Sequence, residues 1–273
     1  MFWTRFASSV VLAVIALLAL IMGGPVMAGI LLLISFVAYL ELVTATGVQE
    51  KKAGWNGLTI VGLAGVLAYY VVIFFAGGKS LEMMVIIGTL LAEMFVYVIA
   101  FPKYTIEQAA MATFSLIYAP VMFSFMYQTR ELPYGIYIVW LILICSWGCD
   151  TCAYLVGILI GKKKIFPVLS PKKSLEGCIG GVLGAMLLGF LYSYFLLNNV
   201  VKEQSMNLIV VIICGVGAVM SQLGDLAASA IKRNHDIKDY GKLIPGHGGI
   251  MDRFDSVLVT APMIYFMVIL LMK

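Results

Sequence analysis

Long apolar runs recur along almost the whole chain, and they constrain what this sequence can fold into more than anything else in it. A bilayer core about 30 Å thick is crossed by a helix of roughly 20 residues. A backbone there has no water to bond to, so an apolar segment must satisfy its own amides and carbonyls as a helix. We read nine such spans, at roughly 6–22, 25–46, 58–76, 83–101, 110–127, 134–160, 177–197, 207–231 and 255–272. With 62% hydrophobic residues and a mean hydropathy of +1.03, an ordinary soluble domain is excluded. The expected fold is all-α: a polytopic integral membrane protein forming a single membrane domain over 1–273. Spans one to five lie in 1–133 and spans six to nine in 134–273, the latter with loops 161–176 and 232–254.

The first run has some look of a secretory signal, since Arg5 precedes it and Val26-Met27-Ala28 follows. It is long for a signal core, however, and Gly23-Gly24-Pro25 reads as the turn of a tight hairpin into a second span. Orientation follows from the basic residues. With the N-terminus in the cytoplasm, that side holds Arg5, Lys51, Lys52, Lys103, Lys162, Lys163, Lys164, Lys172, Lys173, Lys232, Arg233, Lys238, Lys242 and Arg253. Only Lys79, Arg130, Lys202 and Lys273 of the 18 fall opposite. The C-terminus is then outside the cytoplasm, and the two polar loops share one face, where they can form one site.

Carboxylates in the spans are the second clue, because an aspartate at bilayer centre costs roughly 2.5–3.5 kcal/mol even on a lenient scale. Asp150 and Asp225 each need a partner. Ser221, Asp225, Ser229 and Lys232 line one face of a helix leading to the basic loop, and Ser146, Asp150, Tyr154 and Gly157 make a similar stripe on the sixth span. Glu41 reads as lying near a span end, and Glu93 as a pocket wall or an interhelical hydrogen bond.

The segment KDYGKLIPGHGGIMDRFDS, 238–256, holds six charged residues and four glycines in a chain that is only 12% charged. Asp252 and Asp255 are spaced to face one way on a helix. Hard oxygen ligands of this kind suit Mg2+, which takes one or two carboxylates and completes its shell with water and substrate phosphates. Lysines and arginines would bind phosphates, and the amides of Gly246, Gly248 and Gly249 can approach an anion closely. Loop 161–176 adds Lys172 and Lys173, with Ser170 and Ser174 as hydroxyl donors. Phosphoryl or nucleotidyl transfer is the reaction class that fits.

The run 229–256 closely resembles the signature of phosphatidate cytidylyltransferases, also called CDP-diacylglycerol synthases. Ser229, Lys232, Arg233, Lys238, Asp239, Pro245, His247, Gly248, Gly249, Asp252, Arg253 and Asp255 fill it. SPKKSLEG at 170–177, SQLGD at 221–225 and Trp147, Asp150, Ala153 and Tyr154 are also similar to family segments, whereas the first half shares only its hydropathy. The resemblance implies transfer of a cytidylyl group from CTP to phosphatidic acid with release of pyrophosphate, and dependence on Mg2+. On that basis Asp225 and Asp252 are expected to hold metal, with Asp255 a third ligand or a helix cap. Lys172, Lys173, Lys232, Arg233, Lys238 and Arg253 would divide the phosphates, and Asp150 would pair with a cation or join the metal site. His247 would donate to a phosphate, move a proton or brace its loop, while His235 reads as a solvated loop residue. The expected partners are the two substrates and the bilayer, with no nucleic acid and with room for a homodimer. The expected location is a bacterial inner membrane.

Other signals are set aside. Gly78-Lys79-Ser80 lacks the earlier glycine of a phosphate-binding loop and reads as a turn. Cys145, Cys149 and Cys152 share a helix face and read as small-residue packing. A transporter of a phosphate-bearing solute would explain buried carboxylates, but it needs neither the GHGG–DR–D cluster nor such one-sided loops. A CTP-dependent polyprenol kinase is the nearer alternative.

Overall fold

The structure is a computed structural model that describes residues 14–50, 54–75, 79–201, 206–244, 246 and 248–272. Among these, eight helices are long and apolar enough to cross a membrane: α1 (Gly24–Ala45), α2 (Gly57–Phe75), α3 (Ser80–Ile99), α4 (Ile106–Arg130), α5 (Gly135–Ile160), α6 (Leu175–Val200), α7 (Met206–Asn234) and α8 (Met251–Leu271). Residues 14–22 are helical as well and run into the expected break at Gly23. The start of the first expected span, with Arg5, lies outside the described residues.

The helix starts have local causes. Thr105 and Gln108 form a reciprocal capping box at α4, and Asn56 accepts from the Thr59 amide at 2.9 Å as α2 begins. Pro120 sits inside α4 without a backbone donor, and the helix widens there into a π turn over Ile117–Val121. Similar π segments interrupt α5 at Ile144–Gly148 and α6 at Ser193–Leu197.

The described residues form two compact units. The first takes residues through Tyr127 together with Asn234–Arg253, and packs α1 to α4 around Tyr39, Leu42, Leu58, Tyr69, Leu116 and Phe123. Hydrogen bonds between spans hold it where apolar contact alone discriminates weakly. The Ser35 and Tyr70 hydroxyls meet at 2.7 Å, and Thr113 Oγ1 donates to Glu93 Oε2. The interhelical reading of Glu93 is therefore the one observed.

The second unit takes Gln128–Arg233 and Phe254–Lys273. Its closest pairing is α5 against α6, built on glycine. A Cβ at Gly180 would stand 2.6 Å from the Val156 side chain, and one at Gly181 would stand 2.9 Å from Ala153 Cβ. Cys145 and Cys149 are buried, and their thiols point at the carbonyls of Cys214 and Ala218 on α7, which matches the packing role read for them. The strands among the described residues form one antiparallel hairpin, β1 (Lys164–Phe166) with β2 (Ser170–Ser174), in what reads from sequence as a loop.

Candidate active site

The hairpin positions the basic residues of the second unit. Leu175 N donates to Lys163 O at 2.8 Å, and the Glu176 carboxylate accepts from the amides of Lys162 and Lys163, tying the exit of α5 to the entry of α6. Ser174, buried, is the N-cap of α6 and accepts from Gly177 N at 3.2 Å. Gly157, Gly161 and Gly177 make room for that hydroxyl: a Cβ at Gly177 would lie 3.0 Å from Ser174 Oγ and 2.8 Å from the Ala153 carbonyl. Lys164 Nζ donates to Lys172 O at 2.9 Å, so Lys164 braces the hairpin.

Between the hairpin, α5, α6 and α7 lies a cavity of about 400 Å³. Six residues expected at the site line it together: Asp150, Ser170, Lys172, Lys173, Ser174 and Asp225. Lys173 Nζ forms an ion pair with Asp225 Oδ2 at 2.9 Å and also donates to Gln222 O at 3.3 Å. Asp150 accepts from Ser256 Oγ at 3.3 Å, and it feels the negative charge of Asp225 and the positive charge of Lys173. Asp255 lies within electrostatic reach of Asp225, Asp150 and Lys232. Three carboxylates held this near one another repel unless cations stand among them, and two lysines already do. Asp255 is inside α8, a turn past its start at Met251, and its Oδ1 accepts from the next amide, Ser256 N. The cap reading for Asp255 is therefore corrected: the helix starts earlier than its hydropathy indicates.

In the first unit, the segment ahead of α8 is built around two other carboxylates. Asp252 Oδ2 accepts from Tyr240 N at 2.8 Å and Gly249 N at 3.0 Å. Glu41 Oε1 accepts from Ile250 N at 3.0 Å, and Glu41 Oε2 accepts from Met251 N at 2.9 Å. Gly248 has φ +84, a left-handed conformation that glycine adopts without steric cost, and a Cβ there would stand 2.7 Å from Asp252 Oδ2. Ile244 N closes the loop on Gly248 O at 2.9 Å. Sequence reading places Glu41 near a span end and misses this partnership with residues more than 200 positions away. A buried carboxylate without a neighbouring cation in the sequence is the one signal that could have raised the question.

Of the remaining expected residues, Ser229 and Lys232 are half-buried near the end of α7, and Arg233, Lys238 and Arg253 are exposed. Lys232 and Arg233 occupy the last turn of α7, where cations suit the negative end of the helix. His247 and Pro245 lie outside the described residues, as do Lys51, Lys52, Lys202, Lys273 and Gly78 of the topology and turn readings.

Lysines, hydroxyls and carboxylates around one cavity can hold phosphates and a divalent ion together, and the sequence agrees with that chemistry in kind. The family model for the cytidylyltransferase family matches residues 3–271. The chain belongs to the cytidylyltransferase family. Among its relatives, a phosphatidate cytidylyltransferase of Bacillus subtilis is 30% identical over 273 residues, covering 97% of both chains. One from Staphylococcus saprophyticus is 28% identical over 269 residues, covering 97% of this chain and 98% of its own. One from Staphylococcus aureus is 36% identical over 170 residues, 61% of this chain and 62% of its own. For a cytidylyltransferase-family member, the cavity lined by Asp150, Asp225, Lys172 and Lys173 is the candidate active site.

Proposed function

We propose that the protein is a phosphatidate cytidylyltransferase of phospholipid synthesis, transferring CMP from CTP to phosphatidic acid to give CDP-diacylglycerol and pyrophosphate. The observation that carries this reading is the shared cavity in which a lysine–aspartate ion pair, a second lysine and two hydroxyls face the same space, in a chain whose full-length relatives bear that name. Its place in the membrane suits a lipid acceptor.

In the reaction, a phosphatidate phosphate oxygen attacks the α-phosphorus of CTP, forming a new P–O bond as the bond from the α-phosphorus to the bridging oxygen of pyrophosphate breaks. The acceptor attacks the donor directly, so no covalent enzyme intermediate is needed. Lys172 and Lys173 neutralise phosphate charge at the cavity wall, and Ser170 and Ser174 can donate to phosphate oxygens. Lys232, Arg233, Lys238 and Arg253 are proposed to serve the remaining phosphates, with Ser229 and the amides of Gly248 and Gly249 as further donors. His247 is proposed as a phosphate donor or proton carrier.

The residues fit Mg2+. Asp150 and Asp225 line the cavity together, and such hard oxygen donors suit magnesium, which takes one or two carboxylates and completes its shell with water and substrate phosphates. Asp225 and Asp255 are proposed to hold the ion, with Asp150 pairing a cation at the same cavity, and Asp252 is proposed as a ligand on the strength of the signature. When bound, it would offset the charge of the triphosphate and the departing pyrophosphate. The basic loops are proposed to face the cytoplasm of a bacterial inner membrane, with the C-terminus opposite.

The test is turnover by purified protein in detergent with phosphatidic acid and each of the four nucleoside triphosphates, with the lipid product weighed by mass spectrometry. A CDP-linked lipid formed from CTP in preference to the others is expected. A purified, folded protein that forms no nucleotide-linked lipid from any of them overturns the reading.

A further inference from the structure

We propose that Glu41, on α1, is a positioning residue that sets the place of the loop 240–251 and of the Asp252–Arg253 pair that follows it. This rests on the cytidylyltransferase reading for its catalytic consequence, but its structural basis stands apart. Both oxygens of the Glu41 carboxylate accept from consecutive amides, Ile250 N and Met251 N, where α8 begins. These are amides that a helix start leaves without intrahelical partners, and the positive end of the helix favours a carboxylate there. The side chain is buried, at 9% exposure, and two glycines close on it from the loop: a Cβ on Gly241 or on Gly249 would overlap the carboxylate. Asp252 ties the same loop from its other side through Tyr240 N and Gly249 N. Four backbone amides are thus held by two carboxylates, one of them contributed by α1. A helix far outside the signature run in sequence thereby fixes the segment carrying that signature's Asp and Arg. Such residues act through geometry, and a displacement of about 1 Å at a reacting centre can cost on the order of 100-fold in rate.

The experiment is a double-mutant cycle of Glu41→Ala and Gly241→Ala in the full chain, with kcat and KM for both substrates and amide hydrogen exchange over 240–251. Gly241 is free of positive φ, so alanine there adds bulk without backbone strain. Glu41→Ala is expected to lower kcat about 10- to 100-fold, to leave KM for phosphatidic acid within about threefold, and to speed exchange at Ile250 and Met251. Gly241→Ala alone is expected to lower kcat as well, because its methyl displaces the loop from the carboxylate. In the Glu41→Ala background the same methyl is expected to cost less than about twofold, since its obstacle is gone. Glu41→Gln, which keeps one carbonyl acceptor, should recover part of the lost kcat. A folded Glu41→Ala protein with kcat within twofold of the parent, or fully additive effects of the two substitutions, overturns the proposal. If Glu41→Ala does not fold, Gly241→Ala and Glu41→Gln decide it: parental kcat and exchange in both refute it. If the parent protein turns over no CTP, the functional reading fails, while unchanged exchange in a folded variant would still refute the role of Glu41 by itself.

Discussion

Replacing Lys173 by methionine keeps an unbranched side chain, one atom shorter, and removes the charge from beside Asp225. At 2.9 Å the two unit charges attract by about 6 kcal/mol at an effective dielectric near 20. Most of that is offset by what each group loses on leaving water. The lysine side chain is 13% exposed and the aspartate 35%, so the pair falls between an exposed pair, worth about 0–1 kcal/mol, and a buried one, whose breaking costs about 3–5 kcal/mol. We expect Lys173→Met and Asp225→Asn each to destabilise by about 1–3 kcal/mol. The double variant should be less unstable than the sum, because removing both charges leaves neither stranded. Turnover should behave differently. If both groups serve substrate and metal, each single variant loses about 100- to 1000-fold in kcat, as loss of one preorganised charge at a transition state commonly does, and the double variant regains nothing. The assay is cytidylyl transfer per folded molecule, alongside thermal unfolding in the same detergent. A double variant that returns to within tenfold of the parent would show the pair to be structural only, and would remove both residues from the chemistry.

Further outcomes follow from the packing and the proposed metal. Gly177→Ala should destabilise by about 1–3 kcal/mol and lower turnover, since the new methyl would press on the Ala153 carbonyl and the Ser174 cap. Gly88→Ala on α3 meets nothing within 4 Å and should be silent or stabilising by up to about 1 kcal/mol in a thermal melt. Thr113→Val leaves Glu93 without its hydroxyl donor and should cost about 1–3 kcal/mol in stability, with kcat per folded molecule unchanged. Chelation should abolish turnover by the parent protein and added Mg2+ should restore it, whereas Asp225→Asn should stay inactive at any magnesium concentration.

The spans were legible because hydropathy reports what a bilayer requires, and α5, for example, begins and ends within a residue of where its apolar run does. The cavity residues Asp150 and Asp225 were legible for a related reason: charge is costly among apolar helices, so its presence there is informative, while Lys172 and Lys173 were legible as part of a basic loop between spans. Three features were not. The hairpin at 164–174 has no alternating apolar pattern, being held by pairing and by Glu176. The start of α8 at Met251, ahead of its apolar run, depends on Glu41 and Asp252 meeting amides that no local pattern marks. The glycines of α6 announce close packing but not its partner, which only the fold reveals as Val156, Ala153 and Cys152 of α5. In each case the cause is a contact between one stretch of chain and another, which periodicity along one segment does not encode.

Transfer of the cytidylyl group to a lipid phosphate is followed through the fate of labelled phosphorus. Purified protein would be given phosphatidic acid, Mg2+ and CTP labelled at either the α- or the γ-phosphate, and the lipid extract counted. The α-label is expected in the lipid and the γ-label in released pyrophosphate. Label from the γ-position entering a lipid, or α-label remaining wholly water-soluble while CTP is consumed, would contradict it.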